Sequence, residues 1–161
     1  MSTTKPLEGI KVIEISTIIT ASLSAMMLSD QGAEVIKIEQ TGFGDPLRYL
    51  GTQKGGISAI FANTNRGKKS IELDLKTESD LEQAKKLISE ADVLINNFRP
   101  GVMDSLGLGK EDCKTLNKNL IYVAITGFGK EGPYANAPAY DHVVQAMSGS
   151  TAIQADEDKP K

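Results

Sequence analysis

Residues 10–38 read IKVIEISTIITASLSAMMLSDQGAEVIKI, and this stretch decides the fold. Ile10 to Ile15 is mostly apolar and β-branched, as a buried strand requires. Thr20 to Ser29 follows with small and apolar residues through Met26, Met27 and Leu28, which predicts a helix, and Gly32 closes it. Glu34 to Ile38 then alternates with period two and predicts a second strand. A β-α-β unit at the start of the chain points to a parallel sheet.

Working outward, the periodicity lapses from Gln40 to Gly67, where Gly42, Gly44, Gly51, Gly55 and Gly56 punctuate a long connection with a short helix near Ser58 to Asn63. A connection of this length is usually functional or hides further elements. Lys69 to Leu73 alternates again as a strand. Thr77 with Asp80 three residues on predicts a capped helix whose Leu81, Ala84, Leu87, Ile88 and Ala91 share one face, with Glu82 and Lys86 paired on the wet side. Asp92 to Ile95 predicts a strand that runs into the turn Asn96 to Gly101. A short helix to Ser105, a break at Gly107-Leu108-Gly109 and a helix near Lys110 to Asn117 lead to a strand over Leu120 to Ile125. Gly127, Gly129, Gly132 and Pro133 form a loop, Pro138 opens a last helix through Met147 that ends at Gly149, and residues 156–161 carry no element. The order predicts an α/β fold: a doubly wound, mainly parallel sheet with helices on both faces, binding its ligand outside the carboxyl ends of the strands.

Bulk properties narrow the function. A chain of 161 residues is the size of one domain with a real core. A net charge of -3 argues against a nucleic-acid or membrane surface, since either needs a large excess of Lys and Arg on one face. Cys113 is the single cysteine, so no intrachain disulfide is expected. No apolar run reaches the roughly 20 residues that span a bilayer, and Lys5-Pro6 leads into a strand pattern without the layout of a secretory signal. These features predict a cytoplasmic protein.

Several motifs fail on inspection. Gly67-Lys68-Lys69-Ser70 resembles the end of a phosphate-binding loop, but Ala62 stands where that motif needs glycine and the segment enters a strand, not a helix. The first β-α turn, Ser16 to Thr20, contains no glycine, so the dinucleotide fingerprint is missing where it would have to be, and an unrelated nucleotide-binding module is disfavoured. His142, beside Asp141, has no second histidine to build a metal site with, and no metal is expected. Cys113 lacks a partner that would lower its pKa and reads as a packing residue.

The cations Arg66, Lys68, Lys69 and Lys76, followed by Arg99, carry more content. On two adjacent strands of a parallel sheet they would present positive charge near the strand ends, which suits a phosphorylated nucleotide tail; a set of solvated charges fits the same pattern. Asn97-Phe98-Arg99 adds an amide, an aromatic face and a cation at one turn, as an adenine or ribose site uses.

At these residues the sequence resembles the family III (CaiB/BaiF-type) coenzyme A transferases, which include formyl-CoA and carnitine CoA transferases, with α-methylacyl-CoA racemase as a relative. The matching blocks are residues 6–14 (PLEGIKVIE), 32–39 (GAEVIKIE), 65–76 (NRGKKSIELDLK), 91–94 (ADVL) with 97–101 (NFRPG), and 132–134 (GPY) with 138–141 (PAYD), in family order. The resemblance implies that residues 1–161 are an N-terminal CoA-binding portion of a Rossmann-like large domain. It implies a CoA site formed by Ile18, Ile19 and Thr20, by Leu73, Asp74, Leu75 and Lys76, and by Asn97, Phe98 and Arg99. CoA and acyl-CoA are then substrates, with no tightly bound cofactor; the other partners are a carboxylic acid and a second copy of the chain in an interlocked homodimer.

The implied nucleophile is an aspartate in a strand-end motif that should follow residue 161. No residue here matches it, and Asp156 and Asp158 fall in a variable stretch before it, so the chain alone is expected to be inactive, a non-catalytic CoA-binding portion. Gln40 and Ser105 occupy places where some transferases have arginines that meet CoA phosphates. Racemases place a catalytic histidine where this chain has Tyr140; His142 is two places late and projects differently on a helix. Transferase is therefore preferred to racemase, and Tyr140 is a candidate for supporting the reacting carboxylate through its hydroxyl.

Overall fold

A computed structural model describes residues 4–154, which form two compact units divided after Ile125. In the first unit β1 (Lys11–Ile15), α1 (Thr20–Asp30) and β2 (Glu34–Glu39) build the expected β-α-β. The long connection holds a 3₁₀ turn (Pro46–Tyr49), a small hairpin of β3 (Gln53–Lys54) and β4 (Ile57–Ser58), and α2 (Ala59–Asn65), whose first turn is capped by the Ser58 hydroxyl. Then come β5 (Lys69–Glu72), α3 (Glu78–Ser89), β6 (Val93–Asn96), α4 (Val102–Ser105), α5 (Lys110–Leu116) and β7 (Ile121–Ala124). The second unit carries α6 (Asp141–Met147) and α7 (Ser150–Gln154).

The five main strands are all parallel in the order β5-β2-β1-β6-β7, with β1 in the middle. Alternation then separates two cores. Ile13, Ile15, Ile38 and Leu94 pack on one face with Ala84 and Ile88 of α3, Met103 and Cys113. Val12, Val35 and Ile95 pack on the other with Ala21 and Ala25 of α1, small residues that let the helix lie close to the sheet. Helices thus cover both faces, as the sequence predicts.

Local expectations failed in three places. Thr77 sits at the start of α3, but its hydroxyl donates back to the Asp74 carbonyl (3.0 Å) and Asp80 accepts the Asp74 N–H (2.9 Å), so both side chains tighten the preceding turn instead of capping the helix. Glu82 pairs with Lys85 at 2.8 Å, one residue before the expected Lys86. Pro138 does not open the last helix: Tyr140 is still extended (φ -95, ψ 160) and α6 starts at Asp141, whose carboxylate favours a helix N-terminus and accepts from Gln145. Gly149 does end α6, at φ 78, and α7 follows it unforeseen. Residues 156–161 lie outside the described chain.

Candidate functional site

Because β1 is central, the chain leaves it towards β2 while β6 lies on its other side, so the connections diverge beyond the carboxyl ends of these two strands, where a sheet of this order is expected to place its ligand crevice. Asn97, one residue past β6, ties this edge together. Its carboxamide oxygen accepts the Thr17 N–H (3.0 Å), and its nitrogen donates to the Thr17 carbonyl (2.7 Å) and the Thr20 hydroxyl (3.0 Å). Ile18 holds φ +66 and is the one non-glycine residue in the left-handed region among the described residues; its N–H donates to Asp45 at 3.0 Å. Asn97 thus binds Thr17 and Thr20 on either side of Ile18, which is held separately by Asp45, and Ile19 beside them is exposed.

The Leu73–Lys76 turn follows β5 at the sheet's outer edge. Leu73 is buried and donates its N–H to the Glu39 carbonyl (2.9 Å), while Lys76 donates its N–H to the Asp74 carboxylate (3.1 Å). Leu75 and Phe98 are half-buried and pack against the core, so Phe98 is not a free aromatic platform. Strand spacing puts this turn about 10 Å from the β1 end and about 14 Å from the β6 end. Among the described residues no hydrogen bond or ion pair links it to Ile18–Thr20 or Asn97.

The structure sorts the cations. Arg66 pairs with Asp30 and Lys69 with Glu34, while Lys68 is buried against Glu14 at 2.7 Å. These three belong to the amino end of β5 and are already neutralised. The strands that end near Lys76 and Arg99 are not adjacent, as expected, but separated by β2 and β1. Lys76 and Arg99 are exposed, and their side chains form no ion pair among the described residues. Of these five cations, the two without an ion pair among the described residues, Lys76 and Arg99, follow the carboxyl ends of β5 and β6.

Sequence reasoning missed the charges beneath this edge. Glu14, Lys37 and Glu39, given no role from the sequence, are all buried, on the face covered by α1 and α2. Glu14 stands opposite Lys37 across the β1–β2 pair and takes its ammonium at 2.6 Å on one oxygen and that of Lys68 at 2.7 Å on the other. Ser16 and Ser22 donate to the same carboxylate at 2.6 and 2.9 Å. Burial pushes the Glu14 carboxyl up, but the charges of Lys37 and Lys68 outweigh it and hold the pKa below the ordinary value. Lys37 also reaches Asp45 at 2.9 Å, which carries the network to the Ile18 loop. Opposite charges in register on two buried parallel strands were the available signal.

Other candidates are quiet. Cys113 is fully buried with its thiol pushed up to about 11 by burial and by Asp112, so it is a packing residue. No metal-ligating group is found among the described residues, nor is any helix there long and apolar enough to cross a membrane. In the second unit Tyr140 is exposed and stacks on His142, ring centroids 6.4 Å apart.

The comparisons with known proteins give the family. The family model described as CoA-transferase family III matches residues 7–161. The chain belongs to CoA-transferase family III. It is 46% identical over 144 residues to an acetyl-CoA:oxalate CoA-transferase of Acetobacter aceti, covering 89% of this chain and 37% of that protein. It is 41% identical to a succinate–glutarate CoA-transferase of Agrobacterium fabrum, covering 95% of this chain and 40% of the relative. A CaiB/BaiF family protein from Brucella suis superposes with a TM-score of 0.92 at 40% identity over 99% of this chain and 43% of its own. The chain therefore spans well under half the length of each relative.

Proposed function

We propose that this chain forms the CoA-binding part of an enzyme that moves CoA between an acyl-CoA thioester and a free carboxylate. The observation that carries the reading is the pair of unpaired cations, Lys76 and Arg99, flanking a crevice that Asn97 and the Ile18–Thr20 loop line. A nucleotide with separated phosphates needs positive charge at two points and polar backbone between them. The loop N–H groups that hold a pyrophosphate in glycine-rich dinucleotide sites are spent here on Asn97 and Asp45, which argues for ligand phosphates at the cations instead.

In the full reaction a carboxylate attacks the thioester carbonyl and expels the CoA thiolate, leaving a mixed anhydride as reactive as the thioester it replaced. The thiolate returns to the carboxyl of the nucleophile, releasing the donor acid, and the acceptor acid then takes CoA by the same two steps. Asp156 and Asp158 are given no part in this, and the 161-residue chain by itself is expected to bind CoA without turnover. Tyr140, with its hydroxyl exposed, suits a group that orients the reacting carboxylate, and a tyrosine in place of histidine favours transfer over racemisation. A cytoplasmic homodimer completes the reading.

Calorimetric titration of the chain with free CoA tests it. Saturable binding is expected, weakened about 5- to 30-fold by Lys76→Ala and by Arg99→Ala, in line with about 1–2 kcal/mol for a charge-assisted contact. Unchanged affinity in both variants would remove the site from this edge.

A further inference from the structure

The Ile18 loop is held in a conformation that its own residue disfavours. A β-branched side chain at φ +66 is strained, and such backbone persists only where its surroundings over-determine it. The determinant lies 27 residues on. Asp45 is fully buried, and one carboxylate oxygen accepts the Ile18 N–H at 3.0 Å and the Leu47 N–H at 2.9 Å. The other oxygen faces the Lys37 ammonium at 2.9 Å, which Glu14, Ser16 and Ser22 hold in turn. The Asp45 N–H is itself fixed by Glu39 at 2.8 Å. A rigid, salt-bridged carboxylate thus reaches from the long connection to the one strained amide at the crevice.

We infer that Asp45 is the positioning residue of this edge: it keeps the Ile18 loop in its left-handed turn, and so presents Ile18–Thr20 and Asn97 to the ligand. The inference rests on the CoA reading for the ligand but not for the loop. Asp45 touches no substrate. Without its acceptor the N–H of Ile18 has no partner at that site, and only the Asn97 bonds to Thr17 and Thr20 on either side oppose relaxation to negative φ.

Two readouts separate the parts, each beside a circular dichroism check of folding. Amide hydrogen exchange at Ile18 is expected to be slow in the parent and in Asp45→Asn, whose amide oxygen still accepts the N–H although its NH2 then faces the Lys37 ammonium, and fast in Asp45→Ala. CoA affinity by calorimetry is expected to fall about tenfold in Asp45→Ala, the equivalent of about 1.4 kcal/mol, and to stay within about threefold in Asp45→Asn. If Asp45→Ala does not fold, Ile18→Pro removes the same N–H from the loop side, cannot adopt positive φ, and is expected to lose affinity equally. Fast exchange in Asp45→Ala with no CoA binding by the parent would remove the ligand and keep the positioning role. Slow exchange in Asp45→Ala, or affinity untouched in Asp45→Ala or Ile18→Pro where the parent binds, would overturn the inference, because a carboxylate that serves only the buried ion pairs leaves both readouts unmoved.

Discussion

Glu14 shows what one buried carboxylate does in a sheet covered on both faces. Two ammonium groups, Lys37 and Lys68, converge on its two oxygens at 2.6 and 2.7 Å, and two serine hydroxyls donate to the oxygen that faces Lys37. Buried sets of this kind are often no more stabilising than apolar residues of the same volume, but their parts are not independent, because removing one partner leaves an uncompensated buried charge. Glu14→Gln keeps the shape and removes the charge, leaving Lys37 with Asp45 and Lys68 with no carboxylate. The expected loss is about 3–5 kcal/mol in urea unfolding, with part of it recovered by adding Lys68→Met, which takes away the orphaned cation. A loss under about 1 kcal/mol would mean that water reaches the cluster, in conflict with the 2% exposure of the Lys68 side chain.

Between elements, Glu39 has a comparable task at the end of β2. Its carboxylate accepts two hydrogen bonds from Arg48 of the 3₁₀ turn, at 2.8 and 2.6 Å, one from the Asp45 N–H, and one from Ser70 of β5. Burial raises its pKa, but the Arg48, Ser70 and Asp45 hydrogen bonds outweigh that and bring it from 4.5 to about 2. A carboxyl depressed on folding adds stability above its unfolded pKa and loses it as pH falls towards the folded value. The urea midpoint is therefore expected to hold steady down to about 4.5 and to decline between there and about 2, with Glu14 adding to the decline. Glu39→Gln should lower the neutral-pH midpoint and flatten that slope; an unchanged slope would show that Glu39 does not carry it. The same residue marks where the sequence could be read and where it could not. Period-two alternation places β1, β2 and β5 within a residue or two, because strand existence depends on local pattern. Whether the polar half of EVIKI faces water depends on α1 and α2, whose placement is tertiary. Asn97 could be anticipated from a strand-end rule and Ile18 and Thr20 from the family resemblance alone, whereas Asp45, in the aperiodic Gly-rich connection, has no local pattern that betrays it.

For the molecule as a whole, the distribution of buried side chains sets its association behaviour. Every member of both cores, and every residue packed against them, lies before residue 126. By contrast α6 and α7 bury none of their residues, and Val144, Met147 and Ile153 are 44%, 52% and 86% exposed. Helices of seven and five residues have little stability of their own in water, since nucleation is costly and only a packed apolar face repays it. Contiguous apolar groups on such helices mark an association surface, and the exposed edge strand β7, with Ile121 60% exposed, offers a second one. Light scattering of the 161-residue chain is thus expected to give a mass above the monomer that rises with concentration. A chain ending after Ile125 should still unfold cooperatively, because it keeps both cores, and should associate less if the helical surface dominates, or as much if β7 does. A monomer mass for the 161-residue chain at every concentration would sink the expectation, and with it the idea that residues 126–154 are stabilised by a second copy.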